Sequence, residues 1–239
     1  KDRIKGDYSQ IRGICHNPRP DQSQADLERD LGYAKRLNLN SVRFWLEEEK
    51  WWADRETYEA LILNFVRTCY RFGISSMPIL WNGNFITDYK EMTEAELEQK
   101  RIYAKAIVDL LKEEPGMLMW DIYNEPLCND YLHRATAEEY EEKKARLVND
   151  LRKLCLLVRE LDDDTPITVG HETPHHVDST MDLVDVISFH DYLTTRKEIE
   201  EAMEEARQLP TDKRKALVDD MWWEYNSPEF QDYLTQKRI

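Results

Sequence analysis

Positive charge is scarce in this chain, cysteines are few and scattered, and no apolar run is long enough to cross a bilayer. Lys and Arg number 33 against 48 Asp and Glu, a net charge of -15. With no basic surface to neutralise phosphates, a nucleic-acid partner is excluded. Cys15, Cys69, Cys128 and Cys155 form no CxxC pair, which argues against a structural zinc site or a disulfide framework, and Cys69 and Cys155 read as small core residues. Neither a membrane span nor a signal peptide is expected. The first residue is Lys1 rather than methionine, which reads as a processed or trimmed form and leaves the compartment open between secreted, periplasmic and cytoplasmic. Glycine is low at seven, and no linker or low-complexity segment interrupts the chain, so residues 1–239 are read as one domain.

What is present suits a large core with solvated helices around it. Hydrophobic residues make up 41% of the chain, with seven Trp and twelve Tyr, while 34% of residues are charged. The acidity is concentrated in helix faces such as Glu198 to Glu205 and speaks of solubility more than of a ligand. Short apolar runs alternate with amphipathic segments. Strands are predicted near Ile11–Cys15, Ser41–Leu46, Ser75–Trp81, Met117–Tyr123, Ile167–Gly170, Val186–His190 and Ala216–Asp220. Helices are predicted at Gln24–Arg36, Arg55–Phe72, Glu94–Lys112, Ala137–Leu161, briefly near Asp178, at Arg196–Gln208 and at Pro228–Lys237, on spacings such as Leu27, Leu31 and Ala34. This alternation implies a parallel sheet with right-handed crossovers. The expected fold is therefore α/β, a (β/α)8 TIM barrel lacking the eighth strand-helix unit. An open seven-stranded barrel would expose strand edges, so pairing with a second copy is one route to closure, and the oligomeric state stays open.

The most informative stretch is Met119-Trp120-Asp121-Ile122-Tyr123-Asn124-Glu125-Pro126, a strand that delivers an acid at its tip with an amide before it and a strand-stopping proline after it. Glycoside hydrolysis needs a carboxyl group held beside the leaving oxygen, and a neighbouring amide can bond the sugar 2-hydroxyl. In barrels the chemistry sits at the C-terminal ends of strands. Those ends here carry His16 and Asn17, Arg43 and Trp45, Trp81 and Asn82, Asn124 and Glu125, His171 and Glu172, His190 and Tyr192, and Asp219 and Asp220. Arg43 shares a strand face with Trp45, and His190 shares one with Tyr192. A buried Arg43 would require carboxylate partners. Trp45, Trp81, Trp222 and Trp223 have flat faces suited to sugar rings and equally to core packing. His171-Glu172-Thr173-Pro174-His175 has the letters of the HExxH zinc motif, but that motif works on a helix, and Pro174 after a strand argues for a loop at the barrel mouth instead. No metal or cofactor is expected.

This constellation resembles the retaining (β/α)8-barrel glycoside hydrolases, the clan that includes the cellulase and mannanase family 5. The residues that carry the resemblance are Asn124-Glu125-Pro126 on the fourth strand, Ser41 to Trp45 on the second and Ser188 to Tyr192 on the sixth. It implies a carbohydrate substrate, with Glu125 as general acid/base and Asn124 on the 2-hydroxyl. Arg43, His190 and Tyr192 would then position and polarise the nucleophile. Trp45, Trp81, Asn82 and His16 are the further candidates for substrate binding or support. The family places its nucleophilic Glu on strand seven, where this chain has Lys215-Ala216-Leu217-Val218-Asp219-Asp220-Met221-Trp222. Asp220 aligns with that Glu, Asp219 is the neighbour on the opposite face, and Glu224 lies four residues beyond.

On this reading Glu125 has a pKa raised by burial and by the second carboxylate, which Arg43 keeps ionised. Asp is one methylene shorter than Glu, which widens the carboxyl gap by about 1 Å and can cost about a hundredfold in rate. Other readings remain: an inactive or carbohydrate-binding barrel, an engineered barrel using Glu125, Asp219 or Asp220 for a non-natural proton abstraction, and a metal-dependent barrel hydrolase.

Overall fold

The computed structural model of the chain describes residue 8 and residues 10–190, 192–208 and 216–220, with the side chains of 205–207 and 216–220 outside the described set. Seven strands form one parallel sheet in sequence order: β1 (Gly13–Cys15), β2 (Ser41–Trp45), β3 (Ser75–Asn82), β4 (Trp120–Asn124), β5 (Ile167–His171), β6 (Val186–His190) and β7 (Ala216–Asp220). Helices α1 (Gln24–Arg36), α2 (Glu48–Ala53), α3 (Arg55–Arg71), α4 (Glu94–Leu111), α5 (Asp130–His133), α6 (Ala137–Leu161) and α7 (Arg196–Arg207) lie between the strands. The strand-helix alternation expected from the sequence therefore holds through β7, giving an incomplete parallel α/β barrel. The seventh predicted helix, Pro228–Lys237, lies outside the described residues, as do Trp222, Trp223 and Glu224.

Local chemistry explains where the helices start. Ser23 caps α1, accepting a hydrogen bond from Asp26 N. Thr93 with Glu96 and Thr136 with Glu139 form reciprocal capping boxes at α4 and α6, each satisfying backbone donors that the first turn leaves open. Two short helices differ from the sequence expectation. Both α2 and α5 sit in loops directly after strands, and their few residues show too little periodicity to be read as helix. Strand β4 begins at Trp120 rather than Met117, since Met117 makes only an isolated bridge to Ser76.

The main core fills the space between sheet and helices, with Phe44, Phe65, Ile107, Trp120 and Ile122 all buried there. Trp120 keeps its one polar group satisfied by donating from Nε1 to Asp162 Oδ2 at 3.0 Å. A smaller cluster of Tyr8, Met77, Leu118, Met119 and Val186 forms an apolar layer. Met77 lies beside Arg43 in the β2–β3 register, next to the charged residues described below. Among the described residues no helix is long and apolar enough to cross a membrane.

Candidate active site

Arg43 is buried on β2, and its charge is matched on β4. Its Nε donates to Asp121 Oδ2 at 2.8 Å, and its Nη2 donates to the same oxygen at 2.5 Å and to Asn124 Oδ1 at 2.9 Å. The other Asp121 oxygen accepts from Gly170 N at 3.1 Å and from Tyr123 N at 3.2 Å. Strict alternation along β4 would put Asp121 and Asn124 on opposite faces. A register irregularity between these two residues brings both to Arg43: Trp120 and Asp121 pair with Ile167 and Thr168, yet Asn124 pairs with Gly170. Sequence reasoning missed Asp121, although a charged residue inside an apolar strand, in a chain with a buried arginine to neutralise, was the available signal.

Glu125 follows in a left-handed backbone conformation, φ 46°. Asn38 is the other non-glycine residue with positive φ among the described residues, and asparagine tolerates that region better than glutamate does. The conformation costs about 1–3 kcal/mol and persists because the surroundings over-determine it. Glu125 N donates to Gly170 O at 2.7 Å, and Cys128 N donates to Glu125 O at 3.2 Å. A side chain on Gly83 would fall 2.5 Å from Glu125 O, so the β3 loop closes on the turn only because that residue is glycine. Gly170 is equally constrained, since a Cβ there would lie 2.6 Å from Arg43 Nη2 and 2.9 Å from His190 Nε2.

The Glu125 carboxylate is held from several strands. Oε1 is 2.6 Å from His190 Nδ1, at the end of β6. Oε2 accepts from Asn84 Nδ2 at 2.5 Å, and the Tyr192 hydroxyl also bonds the carboxylate. Asn124 Nδ2 donates to Asn84 Oδ1 at 2.7 Å and to Asn82 Oδ1 at 3.1 Å, tying the amides of β3 and β4 together. Burial pushes the Glu125 carboxyl up, but the bonds from His190, Asn84 and Tyr192 outweigh it and hold the group below the usual carboxylate range. This corrects the expectation of a raised pKa. Donors collect on the carboxylate, and stabilising its charge wins over desolvation. Burial and the nearby Glu125 charge push the Tyr192 phenol upward, keeping it protonated as a donor.

The structure thus brings Arg43, Asn124, Glu125, His190 and Tyr192 together with Asp121 and Asn84, two residues that the sequence does not single out. The described partners of His190 and Tyr192 include Glu125, and those of Arg43 include Asp121 and Asn124. The Asp220 side chain lies outside the described set, and its backbone pairs with His190 across β6 and β7. Trp45 is partly exposed with the Arg43 guanidinium 5.4 Å from its ring, and Trp81 is buried with its Nε1 donating to Glu48 Oε2 at 2.9 Å. His16 does not join the cluster: its ring lies against Phe65 at 5.9 Å, and Nε2 is 4.0 Å from Asp30 on α1. Burial lowers its pKa, partly offset by Asp30.

The HExxH letters take no zinc-motif geometry. His171 ends β5 and is buried, its Nε2 2.8 Å from Thr180 Oγ1, whereas His175 is exposed in a 3-10 turn that starts at Pro174. Burial lowers the His171 pKa to about 3, so its ring is neutral. Glu172 instead bonds His176.

The chain is an incomplete parallel α/β barrel in which an acid, an amide and an imidazole converge at the strand ends. No family model matches the chain, and no curated protein matches it by sequence. Solved structures that it resembles include the β-glucuronidase of Parabacteroides merdae, at TM-score 0.61 and 14% identity over 87% of this chain and 23% of that one. The endo-1,4-β-mannanase of Rhizomucor miehei matches at TM-score 0.58 and 16% identity over 84% of this chain and 69% of that one. The exo-β-1,4-mannosidase of Opitutaceae bacterium strain TAV5 matches at TM-score 0.57 and 14% identity over 94% of this chain and 54% of that one. At these identities the likeness is one of fold. The chain spans about a quarter of the length of the β-glucuronidases it resembles.

Proposed function

We propose that residues 1–239 form one domain of the (β/α)8 kind that hydrolyses a β-linked glycoside with two carboxylates. The observation that carries the reading is Glu125, an acid in a strained backbone conformation whose two oxygens are bonded by Asn84, in the loop after β3, and by His190, at the end of β6. Glu125 protonates the glycosidic oxygen as the bond to the anomeric carbon breaks, and later takes the proton from the attacking water. Asp220 attacks the anomeric carbon or stabilises positive charge there. Its backbone register beside His190 supports this assignment over Asp219, which pairs with Phe189. Asn124, held by Arg43, is the amide for the 2-hydroxyl. Substrate closing over Glu125 expels water and raises its pKa towards the protonated form that the first step needs. Release of aryl alcohol from a panel of aryl β-glycosides, with Glu125→Ala beside the parent, tests the reading. Hydrolysis by the parent that the variant loses, most severely for poor leaving groups, is the expected result, and silence from the parent across the panel overturns it.

The low pKa of Glu125 favours one second reading, a carbohydrate-binding barrel without turnover. A carboxylate that stays ionised accepts sugar hydroxyls but donates no proton. Calorimetric binding of a sugar that the parent leaves intact is the result that selects it.

A further inference from the structure

A cavity of about 170 Å³ lies between α6, the loop 83–93 and the tip of β4. None of the described partners of Glu125 lines it. Its walls are largely aliphatic, with Leu147, Leu151 and Leu154 from α6 facing Ile86 and Met92 from the loop. Close-packed interiors rarely leave a void larger than a water molecule. Here one buried carboxylate keeps the loop from settling onto the helix. Asp150 Oδ2 accepts from the Tyr89 hydroxyl at 2.7 Å and from Met92 N at 2.6 Å, while Oδ1 accepts from Lys153 Nζ at 2.7 Å. Nearer β3, Ile86 O accepts from Tyr131 N at 3.1 Å, and the Thr93–Glu96 capping box fixes the entry into α4. The loop is an arch pinned at both ends. Ile86, Tyr89 and Met92 are only partly buried, which places the entrance on the loop side.

The polar groups of the wall narrow the ligand. Lys100 is already bonded to Glu48 at 2.6 Å. Asp150 Oδ1 has one described donor and can accept a second. The Tyr123 hydroxyl has no hydrogen-bond partner among the described residues. Burial, then the charges of Glu48 and Asp150, push the Tyr123 phenol up to about 12, so it stays protonated. An anion here would meet the Asp150 charge, and a cation would find that carboxylate already paired with Lys153. An uncharged body with one hydroxyl fits both the walls and the two polar groups. The volume sets its size, since an apolar cavity of about 150 Å³ holds benzene.

We propose that this cavity binds a small uncharged phenol, its ring against Leu147, Leu151 and Leu154 and its hydroxyl between Asp150 and Tyr123. Tyr123 and Pro126 flank Asn124 and Glu125 in the chain, so the occupant sits against the segment that carries the candidate acid. Binding here is independent of whether Glu125 hydrolyses a glycoside.

The test is an NMR titration of the full chain, methyl-labelled at Ile, Leu and Met, with phenol, benzene and benzoate. Phenol should saturate with a Kd of about 0.1–1 mM, within reach of so few non-hydrogen atoms, and its ring should show NOEs to the α6 leucines. Benzene, which lacks the hydroxyl, should bind about tenfold more weakly, and benzoate more weakly still. Tyr123→Phe should weaken phenol about threefold or more and leave benzene unchanged. Leu151→Phe fills the void and should abolish binding. Where that variant does not fold, Leu151→Ala enlarges the cavity and should admit 2-naphthol, which the parent excludes. Absence of a saturable methyl shift with phenol overturns the proposal, as do NOEs to the exposed rings of Phe85 and Trp52 in place of the leucines. Benzene or benzoate binding as tightly as phenol also overturns it.

Discussion

The tips of β4 and β5 are neighbours in the sheet, and each carries a glutamate bonded to a histidine, Glu125 buried and Glu172 partly buried. They are built in opposite ways. Glu172 on the β5 side takes its histidine from four residues away, and that partner, His176, sits in the turn that follows. Glu125 takes His190 from 65 residues away and Asn84 from 41, and its backbone is bent into a region glutamate rarely adopts. Cys128 lies near both acids, and burial followed by the charges of Glu125 and Glu172 pushes its thiol up. The pKa of either glutamate is held low, because in both cases hydrogen bonds to the carboxylate outweigh burial. What separates them is over-determination. A local pair forms wherever the chain turns, while a strained acid gripped from distant strands persists only when the whole sheet supports it.

The largest expected effect sharpens that contrast directly. Glu125→Gln should lower kcat/KM on unactivated glycosides by about 10²–10⁴, the range for a lost general acid/base, while Glu172→Gln should cost less than tenfold. Comparable losses in both would remove the distinction between the tips.

Next is the buried pair beneath Glu125. Asp121→Ala removes from the buried Arg43 guanidinium a carboxylate bonded at two of its nitrogens and should cost about 3–5 kcal/mol in denaturant unfolding. Asp182→Ala, which breaks the half-exposed pair with Arg152, should cost about 1 kcal/mol or less. Equal losses would mean that the interior pair is worth no more than a surface one.

The smallest effects are shifts in pH dependence. The bond from His190 lowers the Glu125 pKa, so His190→Ala should raise it. A general acid works protonated, so the alkaline limb of kcat/KM should move to higher pH. His176→Ala raises the Glu172 pKa in the same way but should leave that limb where it was. A limb that moves for His176→Ala and not for His190→Ala would exchange the roles of the two tips. Both acids also contribute stability above the ordinary carboxylate pKa of about 4.3 that is lost as pH falls through their depressed folded values.

Much of the frame is legible in the amino-acid sequence. Helices α1 and α6 fall at the bounds expected from periodicity, because an apolar residue every third or fourth position and a capping threonine or serine are local facts. Glu125, Asn124, Arg43, His190 and Tyr192 are legible as strand-end residues, since a parallel barrel gathers those ends at one mouth. His16 departs from its expected place because a residue just past a short strand can turn towards either layer, and here Phe65 and Asp30 receive it. Asp121 stands out only as a charge inside an apolar strand, and its convergence with Asn124 on one arginine is not legible because the register irregularity on β4 has no signature in the letters Trp-Asp-Ile-Tyr-Asn. Asn84 escapes notice because a loop residue two positions past a strand carries no periodicity at all.

By itself, then, the sequence determined the order of strands and helices and the kinds of side chain at the strand ends, because hydrophobic spacing and capping act over a few residues. The tertiary structure alone decided which acid is gripped, that its pKa falls rather than rises, and that Asp121 and Asn124 both bond Arg43. Those outcomes depend on distances between groups from 41 to 81 residues apart, and on two glycines that let backbone and charge approach closely enough to matter.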